Sequence, residues 1–275
     1  MRSSHGRQYQ AGQYTVTELE TEQVNSRDST GRWQPLDISV KHTGASKHEA
    51  RTDRFSVAFF EDTPTDSVHL DLGQGRTVHM GLDEVPGTYA FQSNGSKALY
   101  KHLASATEHE YEVTATSLKE TIVIKQDNGK HDFARPLSLE GLDIRPEPDG
   151  SFSLLDRGTS SVAAVIPAPF ASDAAGALAP GVTQVLENAG GQMMLRVNVD
   201  PQWLHAPERR YPVLVDPTIQ VSAEATGSAT ACVGVAGNVC SSTGYAVSWS
   251  NTNGTIREWV PLMRFDLSSI PEGAV

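Results

Sequence analysis

The sequence predicts a mostly β protein that contains an antiparallel β-sandwich. Apolar and polar residues alternate in many short segments spaced about 8–12 residues apart, which is typical of a sandwich or barrel. Glycine, proline, asparagine and aspartate lie between these segments, where turns need them. No segment carries an extended helical stripe of apolar residues, and Lys97–Ser105 is expected to form one or two helical turns at most.

Strands are predicted wherever β-forming residues alternate with polar ones or form a short apolar run. Phe59 and Phe60 are adjacent in one such segment, so only one of them can reach the core unless a bulge intervenes. Strong turn sequences lie at 28–31, 73–75, 127–129 and 146–150. In chain order the predicted strands are 14–20, Trp33–Val40, Arg54–Phe60, Val68–Leu72, Arg76–Met80, Glu110–Thr116, Glu120–Lys125, Leu142–Arg145, Ser151–Leu155, Gln192–Val199 and Arg210–Val215.

The composition changes after Pro217. Residues 221–255 carry almost no charge and are rich in serine, threonine, glycine and alanine. We therefore place a domain boundary near Ile219–Ser222, with the sandwich over residues 14–219 and a second segment over 220–275. Residues 1–13 contain no apolar run of the kind that a secretory signal peptide needs, and we expect them to form a disordered or non-native tail.

The chain is acidic, since 22 Lys and Arg residues against 33 Asp and Glu residues give a formal net charge of -11. Such a surface repels phosphate backbones and anionic headgroups, and no basic cluster compensates for it. The longest apolar stretches, such as Val162–Ala171, are far shorter than the roughly 18–20 residues needed to span a bilayer. We therefore expect neither a nucleic-acid partner nor membrane insertion.

Cys232 and Cys240 are the two cysteines of the chain. They cannot form the four-ligand shell of a structural zinc site without histidines, and none lies near them in the sequence. The residues between them are small, so a loop-closing disulfide is predicted for an oxidising compartment. The alternative is that they are two unrelated thiols in a strand and a turn.

The turn at 73–75 predicts a hairpin in which His69 pairs with His79. Alternation then places both imidazoles and Asp71 on one face, and the neighbouring apolar residues on the other. Two histidines directly opposite each other, with a carboxylate beside them, are suitable ligands for a divalent metal ion. The simpler interpretation is the solvated face of a half-buried hairpin, and no cofactor is predicted.

Sequence motifs for catalysis are absent: the chain has no His-Glu-x-x-His, Gly-x-Ser-x-Gly or Gly-x-x-x-x-Gly-Lys sequence. In Glu108-His109-Glu110 the glutamates of a strand point away from His109, and an exposed charged edge is the preferred interpretation. A glycosidase-type pair cannot be chosen among 33 acidic residues. The chain is therefore predicted not to be an enzyme.

Trp249 and Trp259 are candidates for ligand binding, because aromatic rings commonly stack on sugar rings. Core packing is the alternative for both residues. It is favoured more strongly for Trp259, which Val260 follows directly.

Several segments resemble known families. Residues 211–218, Tyr-Pro-Val-Leu-Val-Asp-Pro-Thr, with Val-Asp-Pro-Gln-Trp-Leu at 199–204, resemble the end of a β-rich module in RHS/YD-repeat polymorphic toxins and wall-associated bacterial proteins. Val24–Asp37 resembles the opening of that module and Leu118–Lys125 its middle strand. Val260–Pro271 resembles the first hallmark strand of a DNRLRE domain, a jelly-roll module. This resemblance implies that residues 220–275 hold the first strands of a truncated jelly-roll-like module, which follows the sandwich.

The resemblance implies a non-catalytic, extracellular structural or scaffold module in the N-terminal region of a large secreted protein with a toxin-delivery context. Its expected location is secreted or at the cell surface, and its expected partners are other domains of the same polypeptide. The alternative is a carbohydrate-binding module in which Trp249 contacts cell-wall or matrix glycans.

Overall fold

A computed structural model of the chain describes residues 2–11, 14–19, 23–82, 89–103 and 105–221, together with the backbone of 229–233, 239–241, 248–252 and 255–261. At 11, 14–17 and 19 the description is likewise limited to the backbone. The chain divides into two compact units, one formed by Glu20–Ser222 and the other by Met1–Leu19 with Ala223–Val275.

The regular secondary structure of the described residues consists almost entirely of β-strands. In chain order these are β1 (Arg2–Ser3), β2 (Gly6–Ala11), β3 (Tyr14–Leu19), β4 (Asn25–Arg27), β5 (Trp33–Pro35), β6 (Lys41–Gly44), β7 (Lys47–Arg51), β8 (Ser56–Phe60), β9 (Val68–Asp71), β10 (Thr77–Met80), β11 (Tyr89–Asn94), β12 (Lys97–His102), β13 (Thr107–Val113), β14 (Ser117–Ile124), β15 (Asp132–Glu140), β16 (Leu142–Pro146), β17 (Phe152–Asp156), β18 (Val162–Ile166), β19 (Phe170–Ser172), β20 (Thr183–Ala189), β21 (Gln192–Asn198), β22 (Val213–Asp216), β23 (Ile219–Val221), β24 (Ala229–Val233), β25 (Val239–Ser241), β26 (Ser248–Thr252) and β27 (Thr255–Pro261). A four-residue helix, α1 (Pro201–Leu204), follows β21, and no helix among the described residues is long and apolar enough to cross a membrane.

Two antiparallel sheets build the 20–222 unit. The eight-stranded sheet has the order β20-β21-β15-β10-β9-β8-β7-β6. The ten-stranded sheet runs β11-β12-β13-β14-β23-β18-β17-β16, and β22 joins it by pairing with both β14 and β19. β4 and β5 form a separate two-stranded hairpin.

One hydrophobic core takes side chains from both sheets. Phe59 and Leu70 of the eight-stranded sheet and Tyr111 and Leu154 of the ten-stranded sheet are fully buried in it. The rings of Phe59 and Tyr111 lie 5.8 Å apart between centroids. Phe60, next to Phe59 in sequence, is only half-buried, so the two phenylalanines divide between the two faces of β8 as predicted. The prediction of a mostly β, antiparallel sandwich is confirmed, whereas the jelly-roll assignment stays a prediction.

Some local predictions differ from the structure. The segment expected to form helical turns, Lys97–Ser105, contains strand β12, in which buried Ala98, Tyr100 and His102 alternate with less buried residues. β11 and β13 flank this strand on both sides, so its backbone groups pair in the sheet. The strand predicted at Trp33–Val40 ends at Pro35.

The ends of the sandwich also differ from the expected boundaries. Residues 2–11, expected to belong to a tail, form β1 and β2, and β2 pairs with β3. Because β3 follows directly in the chain, a hairpin supplies hydrogen-bond partners even for a polar strand. β3 belongs to the unit formed by the two ends of the chain, and β23 pairs with β14 and β18 inside the sandwich.

β24 to β27 form a four-stranded sheet in the order β25-β24-β27-β26. Cys240 lies on β25, and Cys232 lies on β24 directly opposite Trp259 of β27, while Trp249 lies on β26. The side chains of these four residues lie outside the described part of the chain. The disulfide and the sugar-stacking surface therefore stay predictions.

Candidate functional site

The hairpin of β9 and β10 presents polar side chains on the outer face of the eight-stranded sheet. His69 pairs with His79 and Leu70 with Val78, which confirms the predicted register. Leu70 and Val78 are completely buried, so the alternating histidines face away from the core. The turn needs left-handed backbone, and Gly73 adopts it at a φ of 77° without steric cost.

The two imidazole rings are stacked on each other. Their centroids lie 3.8 Å apart with an interplanar angle of 16°, and their side chains are 29% and 28% exposed. Small residues flank the stack in the neighbouring strands, with Ala58 opposite His69 and Ser138 opposite His79. Phe60 covers one side of His69 at 4.5 Å between ring centroids. The two rings are therefore partly shielded from solvent, and their small neighbours leave space around them.

Asp66 is the carboxylate that both imidazoles share. Its Oδ1 lies 2.9 Å from Nε2 of His69 and 3.4 Å from Nδ1 of His79. The ligand atoms of these three residues, which we call the histidine–aspartate cluster, all lie within 4.8 Å of one another. Asp71, the carboxylate considered from the sequence, instead accepts a hydrogen bond from the backbone N–H of Gly73 at 2.7 Å and so stabilises the turn.

The loop that carries Asp66 is held in place from several directions. The backbone N–H of Asp66 donates to the carbonyl of Thr63 at 2.9 Å, and the Ser67 hydroxyl donates to the same carbonyl at 2.9 Å. Tyr100, on β12 of the opposite sheet, donates to the carbonyls of Phe60 and Ser67, both at 3.0 Å. Burial raises the pKa of the Tyr100 hydroxyl far above its usual value, so it remains a donor. The two ends of the loop are therefore tied to the sandwich interior.

The loop also packs closely on the end of β10. A Cβ added at Gly81 would lie 2.6 Å from the carbonyl oxygen of Thr65, which is closer than a real side chain allows. The backbone N–H of Gly81 donates to the carbonyl of Pro136 at 3.0 Å. Glycine at this position thus lets the loop approach the hairpin closely enough to bring Asp66 to the histidines.

A second cross-strand histidine pair in the same sheet has a different arrangement. His42 and His48 are opposite each other on β6 and β7, with the rings edge to face at 5.0 Å. Oε1 of Glu61 lies 2.7 Å from Nε2 of His48. Within the described residues, three metal-ligating groups converge at the histidine–aspartate cluster and at no other place.

A buried ionic cluster connects the two sheets. Glu120 on β14 pairs with Arg135 on β15, and both side chains are 2% exposed. The Tyr111 hydroxyl donates to Oε1 of Glu120 at 3.1 Å, and Nδ1 of His109 lies 3.2 Å from the same oxygen. A carboxylate buried to this degree requires such a set of compensating partners.

The interpretation of Glu108-His109-Glu110 as an exposed charged edge is wrong for its histidine. β13 is an interior strand between β12 and β14, and His109 is 1% exposed. Glu108 and Glu110 do point outward, and each forms an ion pair with a lysine. Alternation within the strand was predicted correctly, but its position inside the sheet was not.

A groove of about 400 Å³ lies where β15 approaches β16. Its lining includes Gln192 and the ion pair of Asp143 with Arg157, whose side chains are both 60% exposed and lie 3.0 Å apart. The described lining residues include no aromatic side chain. The groove therefore lacks the ring surface on which a sugar stacks.

Fold and site together define an antiparallel β-sandwich protein that carries a histidine–carboxylate cluster on one outer face. No family model and no solved structure matches the chain. Over 113 residues it is 31% identical to the tRNA nuclease WapA of Bacillus subtilis strain 168, a match that covers 38% of this chain and 5% of that protein. The tRNA(Glu)-specific nuclease WapA of Bacillus subtilis subsp. natto is 30% identical over 113 residues, again covering 38% of this chain and 5% of the relative.

Proposed function

We propose that the chain is a non-catalytic structural module of a large secreted, wall-associated bacterial protein with a toxin-delivery context. The observation that carries this proposal is the partial match, because the aligned segment of 113 residues covers only 5% of the tRNA nuclease WapA. A segment of that size is one building block of a very long polypeptide. In this proposal the nuclease activity of the relative belongs to other parts of it, and the partners of the module are neighbouring domains.

The use of side chains in the sandwich supports a structural role. Most of the large apolar residues of both sheets pack into buried cores, and the ion pair of Glu120 with Arg135 is enclosed between the sheets. The formal net charge of -11 disfavours contact with tRNA, because a negatively charged surface repels the phosphate backbone. These properties suit a rigid spacer better than a nuclease.

Incubation of the purified chain with total tRNA, with and without divalent cations, tests the proposal. We expect no cleavage above the blank and no retention of tRNA on the immobilised chain. Cleavage that follows the chain through purification and disappears in a His109→Ala or Glu120→Gln variant that remains folded would contradict the proposal. A surface variant, Arg157→Ala, serves as the control for nonspecific loss of activity.

Retention on cell-wall polysaccharide tests the carbohydrate-binding alternative. We expect the native chain to pass through the immobilised glycan without delay. Retention that is lost in Trp249→Ala and kept in Trp33→Ala would favour a carbohydrate-binding module instead. Trp33 is a suitable control because its ring is already covered by Arg27, at 4.7 Å from the ring centroid.

A further inference from the structure

We propose that Asp66, His69 and His79 bind one divalent ion of the zinc class, with a fourth coordination position open to water. This site lies on the outer face of the sandwich, so the proposed structural module would also bind a metal ion. Its existence does not depend on that role being correct.

The distances within the cluster are close to those of a filled site. Zinc binds imidazole nitrogen and carboxylate oxygen at about 2.0–2.2 Å, so two ligand atoms of a tetrahedral ion lie roughly 3.3 Å apart. Oδ1 of Asp66 lies 2.9 Å from His69 Nε2 and 3.4 Å from His79 Nδ1. At least one ring must rotate out of the stack so that both nitrogen lone pairs point at the same ion, and the small flanking residues Ala58 and Ser138 leave room for this rotation.

The chemistry of the donors selects the class of ion. Two imidazoles with one carboxylate suit zinc and its neighbours among the first-row transition metals, whereas calcium and magnesium prefer oxygen ligands throughout. Three protein ligands with one open position are also typical of zinc sites that retain a bound water. The side chain of Asp66 is 50% exposed, so the cluster is open to solvent on that side.

The fold places the three ligand residues next to one another before any ion arrives. Strand pairing sets His69 opposite His79, and the loop with Asp66 is tied down through Thr63 and Tyr100. Nε2 of His69 is shielded from solvent and makes no hydrogen bond of normal geometry, although the Asp66 carboxylate is next to it. Ligand residues whose backbone positions are fixed in advance lose less conformational entropy when they bind a metal.

Isothermal titration of the full chain with zinc chloride tests the proposal, with cobalt(II) as a second probe whose visible absorption reports coordination. We expect saturable binding of one ion per chain. Asp66→Asn and His79→Ala should each weaken binding by at least about tenfold, since even the loss of an outer-shell partner costs about 10–100-fold. The absence of saturable binding at near-equimolar metal would overturn the proposal.

Two matched variants distinguish this site from general binding by histidine and carboxylate. Asp71→Asn removes the carboxylate on the same hairpin, and His42→Asn removes one ring of the other cross-strand pair. Both should retain the affinity of the native chain, and an equal loss in either would overturn the assignment. Histidine NMR shifts of the native chain provide a test without substitutions: His69 and His79 must respond first, and a first response elsewhere would refute the site.

Discussion

Removing one partner of the buried ion pair between Glu120 and Arg135 should strongly destabilise the sandwich. Both side chains are 2% exposed, so either single substitution leaves the other charge buried without its counter-ion. Breaking a buried pair in this way costs about 3–5 kcal/mol. Glu120→Leu also removes the acceptor of the Tyr111 hydroxyl, which adds about 1 kcal/mol, so this variant should be the less stable of the two.

Replacing both partners should lower the free energy of unfolding by much less than the sum of the losses in the two single variants. In Glu120→Leu combined with Arg135→Met no buried charge remains, and the total should fall short of the sum by at least about 2 kcal/mol. Equilibrium urea unfolding followed by far-ultraviolet circular dichroism measures the four free energies of the cycle.

The exposed pair of Asp143 with Arg157 is the matched control for this cycle. Its side chains are 60% exposed, so each substitution there should cost about 1 kcal/mol or less, with negligible coupling. Two results would refute the reasoning that an uncompensated buried charge determines the loss in free energy of unfolding. One is strictly additive losses at Glu120 and Arg135. The other is single variants there that are as stable as the single variants at the exposed pair.

Three further perturbations follow from the contacts of single residues. Tyr100→Phe should lower the free energy of unfolding by about 1–3 kcal/mol, because two loop carbonyls lose their buried donor; an unchanged urea midpoint would contradict this. Gly81→Ala should cost about 1–3 kcal/mol through overpacking against the loop, whereas Gly44→Ala, with open space around the added methyl, should cost less in the same assay. Burial alone would raise the pKa of Asp173, but three backbone N–H donors and the Arg209 guanidinium lower it below the usual value of an aspartate carboxyl. The stability that ionised Asp173 contributes is therefore complete above about pH 4 and is lost as the pH falls through the lowered pKa. The difference in melting temperature between the native chain and Asp173→Asn should therefore shrink on acidification. A difference that stays constant with pH would disprove the assignment.

Local periodicity was sufficient to predict which face of a strand each side chain occupies. The length of the turn at 73–75 sets the register of His69 against His79, and a period of two separates Phe59 from Phe60. Both rules act over a few residues, so no knowledge of distant strands is needed. The same rule placed Glu108 and Glu110 outward correctly.

Features that depend on distant segments could not be predicted in this way. Alternation pointed to Asp71 as the carboxylate beside the histidines, but a residue two positions along a strand is about 7 Å away, and the loop brings Asp66 closer. The partner of buried Glu120 lies on a strand of the other sheet, so nothing near Glu120 in the sequence identifies Arg135. Pro136 argues against an interior strand, yet β15 changes partner from β21 to β10 at this residue, where a missing N–H is tolerated.

The outer cluster and the inner core depend on the same loop. Tyr100 reaches from the ten-stranded sheet to the carbonyls of Phe60 and Ser67, which bracket the loop that carries Asp66. An ion shared by Asp66 and the two histidines would join that loop to β9 and β10, so binding would stabilise an element that already depends on packing between the sheets. Removal of the ion would release Asp66 from the two histidines without unfolding the hairpin, because the inner face of β9 and β10 stays in the core. For a module whose proposed role is to hold other domains in position, the expected effect of metal is therefore a local increase in rigidity at constant fold.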